Sequence, residues 1–380
     1  MAKYKKRADG RYSTSIIVGH TEDGAVKRKI IYGRTIAELD NNIADFKSLK
    51  NKGIIIDDKN LTVREWALKW LELYKKDKAY NTYICYQRII NTHIIPAFGD
   101  MRLSSLKQNH VQKLLNDIVQ GGHMRTAELV RLTIQQIIHQ ALIEEYIYKD
   151  ITVGLSMPQK QQAKKRSLTE AEKNLIQAAD LDPKERAFVD LLYYTGVRRG
   201  EALALTRDDI DFVNKTISIN KNLVMKSNGS EIKPSPKTKA GVRELPIPEK
   251  LLKTLISYVY ALDSNYLFTK NDGDLMTNSA FRRLWDNILD KINIAAGGTK
   301  YTRKDTRHEG ERAIQLIADD ITPHMFRHTY ATSLYYSGVD IKTAQYLLGH
   351  SSIQMTLDVY THLDNEKITD SKAKLDAFFK

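Results

Sequence analysis

The sequence predicts a multidomain α+β protein. A small β-sheet plus one helix opens the chain, an all-α region follows, and a mainly helical domain with a small antiparallel sheet closes it. Three observations predict this. Two β-branched runs flank an Asp-Gly turn within the first 33 residues. Residues 61–155 carry apolar stripes at helical spacing. Beyond a basic break, capped helical segments mix with short strand-like runs. A length of 380 residues is expected to hold two or three domains.

Residues 1–55 make the first unit. Arg11 to Val18 and Val26 to Tyr32 are strand candidates, with turns at Asp9-Gly10 and Asp23-Gly24. The second turn lies between the strands and predicts a hairpin. Thr35 with Glu38 forms a capping box, and Ile36, Leu39, Ile43 and Phe46 continue a helical stripe. Residues 1–50 hold eleven Lys/Arg against six Asp/Glu, so the unit is basic. It is either a solvated hairpin that helps stability or a nucleic-acid surface.

A polar joint, Lys50-Asn51-Lys52-Gly53 and Asp57-Asp58-Lys59, leads into residues 61–155. Leu61, Trp66, Trp70, Leu71 and Tyr74 share one face. Val111, Leu114, Leu115, Ile118 and Val119 share a second, and Ile134, Ile137, Ile138, Ala141 and Leu142 a third. Ile95-Pro96-Ala97-Phe98-Gly99 breaks the run, because proline lacks the N–H a helix needs. The stripes are core, which leaves Lys78, Asn81, Thr82, Arg88, His93 and Arg125 on the opposite faces. Cys85, the one cysteine, reads as a small buried apolar residue. A single cysteine forms no intrachain disulfide and fits a reducing cytoplasm.

Residues 156–167 are a linker with four positive charges, no negative one and a proline. Such a segment is a tether along phosphates or a solvated hinge. In residues 168–380, Ser167-Leu168-Thr169-Glu170-Ala171-Glu172 opens a capped helix. Asp211 to Leu223 and Val242 to Ile247 are strand candidates.

The formal net charge of +13 suits a polyanionic partner, nucleic acid first, although a Lys-rich solvated surface has the same arithmetic. No Cys/His cluster has zinc spacing, so no metal or cofactor is expected. The basic start Met1-Ala2-Lys3-Tyr4-Lys5-Lys6-Arg7 has no apolar run behind it, and no segment approaches membrane-spanning length. The bacterial cytoplasm, at the nucleoid, is the expected location.

Five motifs in order carry the functional signal. They are Thr195-Gly196-Val197-Arg198-Arg199-Gly200-Glu201, Pro236-Lys237-Thr238-Lys239-Ala240-Gly241-Val242-Arg243-Glu244-Leu245-Pro246, His324-Met325-Phe326-Arg327-His328, Leu347-Leu348-Gly349-His350, and Tyr360. Two arginines, imidazoles and a phenol suffice for attack on a phosphodiester without a metal: guanidinium neutralises, phenol attacks, imidazole moves protons. Together these residues resemble the tyrosine recombinase family, in its branch of phage and conjugative-transposon integrases. The likeness spans more than a third of the chain.

The resemblance implies roles. Arg198 and Arg327 clamp the phosphate, with Arg199 the rival of Arg198. Glu201 orients an arginine from behind. Tyr360 is the nucleophile and leaves a 3′-phosphotyrosine. Lys237, or else Lys239, protonates the leaving 5′-oxygen from a β-hairpin. His324 accepts and donates a proton beside the phosphate. His350 hydrogen-bonds a non-bridging oxygen, a place that tryptophan takes in some relatives. His328 and His362 are structural. The resemblance also divides the chain into an arm-site DNA-binding domain (1–55), a core-binding helical domain (61–155), the basic linker (156–167) and the catalytic domain with a C-terminal tail (168–380).

The expected activity is therefore integration and excision of a mobile element by strand cleavage, Holliday junction formation and religation. Its partners would be double-stranded DNA at core and arm sites, three further copies in a tetramer joined by tail exchange, and accessory DNA-bending or excision factors. Two rivals remain: a type IB topoisomerase with the same chemistry, and a DNA-binding regulator that lacks catalysis. Residues 295–320 exceed the family pattern and read as a charged loop. The tail after Thr361 reads as a weakly amphipathic helix ending in Phe378-Phe379.

Overall fold

The structure, a computed structural model, describes residues 4–20, 26–51, 61–158, 166–227, 229–234, 241–299, 314–318 and 320–360. It divides into two units, Met1–Gln161 and Gln162–Lys380. In the first unit, β1 (Lys5–Lys6), β2 (Tyr12–His20) and β3 (Val26–Gly33) form an antiparallel sheet in that order. Helix α1 (Ile36–Asn51) begins at the predicted box: the Glu38 N–H donates to Thr35 Oγ1 at 3.1 Å, and the Arg34 N–H donates to the Glu38 carboxylate at 2.7 Å. Leu39 is buried against Gly33, where any Cβ would meet the Leu39 backbone at 2.5 Å. The opposite face of the sheet carries exposed Ile30 and Tyr32, with Arg7 and Arg11 over the Tyr32 ring. The predicted Asp23-Gly24 turn lies outside the described residues.

The helical region comprises α2 (Val63–Lys75), α3 (Tyr80–Ile89), α4 (Ile95–Phe98), α5 (Gln108–Gln120) and α6 (Met124–Ile143). Helix α6 packs against α2, α3 and α5 through buried Val130, Ile134, Ile137, Ile138 and Ala141. Trp66 and Trp70 fill the centre. The Trp66 indole donates to the Ile137 carbonyl at 3.0 Å, and Trp70 meets Tyr86 edge-on.

Two expectations are corrected here. Pro96 does not break the helix. A π-helical turn, Ile90–Ile94, joins α3 to α4, and the helical path runs through Pro96 to end at Gly99. The wider turn gives the pyrrolidine ring room and excuses its missing N–H. Cys85 is exposed, because α3 packs Tyr83 and Tyr86 on the core and leaves Cys85 on its outer side with Asn81 and Arg88. Lys78 and Arg125 are also exposed, while Thr82 and His93 are half-buried.

In the second unit, α7 (Glu170–Ala178) and α8 (Pro183–Thr195) start at reciprocal capping boxes, and α9 (Arg199–Ala202) starts where the Glu201 carboxylate accepts from the Arg198 N–H at 2.9 Å. The predicted run from Asp211 to Leu223 divides into pieces of two sheets. Strands β4 (Ile210–Asp211) and β5 (Thr216–Ile219) join the later β8 (Arg243–Pro246) in order β4-β5-β8, and β6 (Lys221–Lys226) pairs with β7 (Gly229–Pro234). A turn at Lys215, whose φ is +53°, ends the first piece. Strand β7 escapes an apolar pattern search because its residues are mostly polar, although Asn228-Gly229 is a hairpin signal. Helices α10 (Glu249–Tyr260), α11 (Asn278–Ala295), α12 (Pro323–Tyr336), α13 (Ile341–Leu348) and α14 (Ile353–Tyr360) complete the unit. Phe188 of α8 sits at its centre, edge-on to Phe268, Phe281 and Trp285.

Candidate active site

Helix α8 ends where Gly196 adopts a left-handed φ of +61°, and a Cβ there would meet the Tyr330 ring at 2.4 Å. This turn sets Arg198 as the N-cap of α9, so its side chain lies beside Glu201. Helix α13 ends in the same manner at Gly349, with φ +60°. The last carbonyls of a helix lack intrahelical partners and form its negative end. Here three successive carbonyls accept from three different arginines. Leu347 accepts from Arg243 Nε at 2.8 Å, Leu348 from Arg327 Nη2, and Gly349 from Arg198 Nη2 at 3.0 Å. Arg327 also donates to the Gly196 carbonyl at 2.9 Å, so both left-handed turns are bound to one cluster.

Glu201 lies behind the arginines and is buried. Its Oε1 accepts from Arg198 Nη1 at 2.8 Å, and its Oε2 from Arg243 Nη2 at 2.9 Å. Burial pushes the Glu201 pKa up. Bonding to Arg243, then to Arg198, outweighs burial and leaves the carboxyl below its ordinary value. Arg327 is buried, and burial followed by the Arg198 charge lowers it to about 9, so it stays protonated at neutral pH. Arg199 points elsewhere, with its guanidinium over the Phe281 ring.

His350 follows Gly349 and is buried. Burial first, then the charges of Arg327, Arg198 and Arg243, lower its pKa to about 3, so the imidazole is neutral. Its Nδ1 is 2.9 Å from Thr356 Oγ1 of α14, which carries Tyr360 one turn on. His324 is exposed in the first turn of α12, with its ring edge-on to His328 at 4.7 Å. Tyr360 is buried among Ala331, Leu334, Ala344 and Leu348, against the Tyr335 ring at 4.8 Å. Its hydroxyl has no hydrogen-bond partner among the described residues. Burial, then the Asp340 charge, raises its pKa.

The structure thus brings Arg198, Glu201, Arg327 and His350 together, with Tyr360 at the end of a helix tied to His350. Lys237, Lys239, residues 300–313 and the tail from Thr361 lie outside the described residues. Two residues that the sequence reading passed over belong to the cluster, Arg243 and Thr356. Arg243 had a signal: strand alternation puts it in phase with buried Leu245 and Ile247.

Residues 165–367 match the phage integrase family, and residues 62–119 match the N-terminal SAM-like domain of phage integrases. The chain belongs to the phage integrase family. It is an integrase-type tyrosine recombinase, an enzyme that cleaves and rejoins DNA. A "tyrosine recombinase XerC-like" protein of Caldanaerobacter subterraneus subsp. tengcongensis is 24% identical over 99% of this chain and 98% of its own. The ICEBs1 integrase of Bacillus subtilis is 26% identical over 79% of this chain and 78% of its own. Two solved structures share the fold. The Tn1549 transposon integrase in complex with a circular intermediate DNA has a TM-score of 0.68 at 24% identity, covering 83% of this chain and 99% of that one. A lambda integrase tetramer bound to a Holliday junction has a TM-score of 0.57 at 20% identity, covering 94% of each. Among the described residues, no helix is long and apolar enough to cross a membrane.

Proposed function

We propose that this integrase recombines DNA at the specific sites of a mobile element, using Tyr360 to form a transient 3′-phosphotyrosine. One observation carries the reading. Arg198 and Arg327 converge with neutral His350 on the C-terminal end of α13, and α14, which ends in Tyr360, is anchored to that histidine. Planar guanidiniums bind two oxygens at once and stay charged, which suits a phosphodiester gaining charge at its oxygens. Tyr360 Oη attacks phosphorus, the bond from phosphorus to the 5′-oxygen breaks, and the leaving oxygen takes a proton from Lys237 or Lys239. His324 accepts the phenol proton. A 5′-hydroxyl of the partner strand then attacks the phosphotyrosine and restores the tyrosine, so no ATP is needed. Two such exchanges pass through a Holliday junction.

Tyr360 rests in an apolar nest, and its hydroxyl has no hydrogen-bond partner among the described residues. Reaction therefore requires α14 to deliver the hydroxyl to the clamp. Tail exchange within a tetramer on DNA is the proposed trigger. The fold shared with the lambda integrase tetramer supports that assembly. We assign core-site binding to residues 61–155 and arm-site binding to the basic sheet of residues 1–55, with accessory DNA-bending or excision factors completing the complex at the nucleoid. Strand transfer between two labelled duplexes tests the function. Joined strands with a covalent intermediate are expected. Relaxation of supercoils without strand transfer would indicate a topoisomerase, and binding alone a regulator.

A further inference from the structure

Three guanidiniums meet in this cluster, and the proposed chemistry uses only two. The third, Arg243, has no exposed side-chain surface, whereas Arg198 is 37% exposed. A group so enclosed does not touch DNA. Every direction of its fork is nevertheless used. Nη2 binds Glu201 at 2.9 Å, Nε binds the Leu347 carbonyl at 2.8 Å, and Nη1 binds the Gly241 carbonyl at 3.2 Å. These three acceptors belong to three parts of the proposed site. Glu201 holds Arg198, Leu347 precedes the carbonyls that hold Arg327 and Arg198, and Gly241 ends the segment that contains both candidate lysines.

We infer that Arg243 is a positioning residue, which holds half of the Glu201 carboxylate so that Arg198 keeps unspent charge for the scissile phosphate. The inference rests on the function proposed above. With Arg243 in place, one carboxylate is divided between two guanidiniums, one oxygen to each. Without it, both oxygens of a buried carboxylate fall to Arg198, which then turns inward as a closed pair. Lysine is no equivalent, because a point charge on a flexible stem does not reach three acceptors in one plane. The charged groups facing Glu201 are Arg198 from α9, Arg243 from β8 and Arg327 from α12, and His350 beyond them is neutral.

The test uses the full chain and a nicked core-site duplex that traps the covalent adduct. R243Q, R243K, E201Q and the double variant E201Q/R243Q are compared with wild type from pH 5.5 to 9. Adduct rate, DNA affinity and thermal midpoint are measured for each. R243Q is expected to lose roughly a hundredfold in adduct rate, on the scale of one lost transition-state donor, while DNA affinity stays within about threefold. The ratio of wild-type to R243Q rate should shrink toward low pH, as protonation of Glu201 frees Arg198. The double variant should recover about tenfold over R243Q at pH 7.5 and show no such acid recovery. Wild-type rate in R243Q overturns the inference. So does a loss that is equal at every pH and is not relieved by E201Q, since that is the mark of a purely structural arginine. If R243Q does not fold, R243K decides. At least a fivefold loss that narrows toward low pH supports the inference, and an unchanged rate or a loss equal at every pH overturns it. A wild-type chain that forms no adduct, or a Y360F chain that does, would instead overturn the proposed function.

Discussion

Tyr360→Phe should abolish cleavage and at the same time stabilise the protein. The hydroxyl is buried and lacks a partner among the described residues, and the whole residue is only 8% exposed. A buried unsatisfied polar group costs about 1–3 kcal/mol. The phenyl ring keeps the Tyr335 contact and the apolar nest of Ala331, Leu334, Ala344 and Leu348, so the substitution opens no cavity. The net gain is then about 1 kcal/mol, or roughly 2–4 °C in Tm for a unit of this size. Differential scanning calorimetry of both proteins reads the gain, and a denaturing gel with labelled core-site DNA reads the adduct. A Phe variant that melts below wild type would refute the buried resting position of the tyrosine. Covalent adducts formed by that variant would refute its role as nucleophile.

Arg198→Lys should bind DNA normally and cleave about 10²–10³-fold more slowly, because the charge survives and the fork does not; single-turnover cleavage checks this, and a normal rate would move the clamp to Arg199. Cleavage should proceed in EDTA at the rate seen with Mg²⁺, since guanidiniums supply the neutralisation that a metal would otherwise supply; strict Mg²⁺ dependence of the cutting step would rule the mechanism out. His350 is held near a pKa of about 3, below its ordinary value of 6.5, so the unfolded chain takes up a proton that the folded chain refuses. Stability should fall as pH drops below 6.5, by about 1.4 kcal/mol per unit from this group, and urea melts at pH 7 and 5 should show a smaller loss for His350→Gln. Replacing residues 300–313 by Asn-Gly should leave the Tm within about 2 °C, because loop shortening costs little entropy. The ends already meet: the Thr299 N–H donates to the Ile314 carbonyl at 3.1 Å, and Asn293 binds both residues. A large drop in the melt would show that the segment is part of the core.

Much of this fold is written locally. Thr35 with Glu38 and Thr169 with Glu172 cap helices where their spacing says they should. The stripes around Trp66, Val111 and Ile134 are buried as their period requires. What escaped depends on partners distant in sequence. Pro96 reads as a breaker unless the π turn before it is known, and that turn is set by packing rather than composition. Cys85 reads as buried because its neighbours are apolar, yet the phase of α3 turns it outward. Arg243 sits on the buried side of its strand, and charge alone argues for the surface. The carboxylate of Glu201, 42 positions earlier, and the carbonyls of Leu347 and Gly241 make its burial tolerable. Thr356 is one of many threonines until α14 is laid beside His350.

The arginine cluster also explains why the Leu-Leu-Gly-His motif has its form. Three like charges repel, and burial makes each dearer to hold. Glu201 offsets one of them. The remainder is met by the dipoles of three carbonyls at the end of α13, which no helix neighbour claims. Those carbonyls fan toward the arginines only if the chain turns left-handed immediately afterward, and Gly349 at φ +60° permits that turn without a Cβ clash. The following residue is then carried into the same pocket, which places His350. Carbonyl dipoles do not fully offset burial and the neighbouring Arg198 charge, so Arg327 remains depressed to about 9. A phosphate brought to Arg198 supplies the missing negative charge, and a phosphorane-like state with more negative oxygens supplies more of it. The electrostatic tension stored among these guanidiniums is thereby released most fully at the transition state, which is the condition for binding energy to appear as rate.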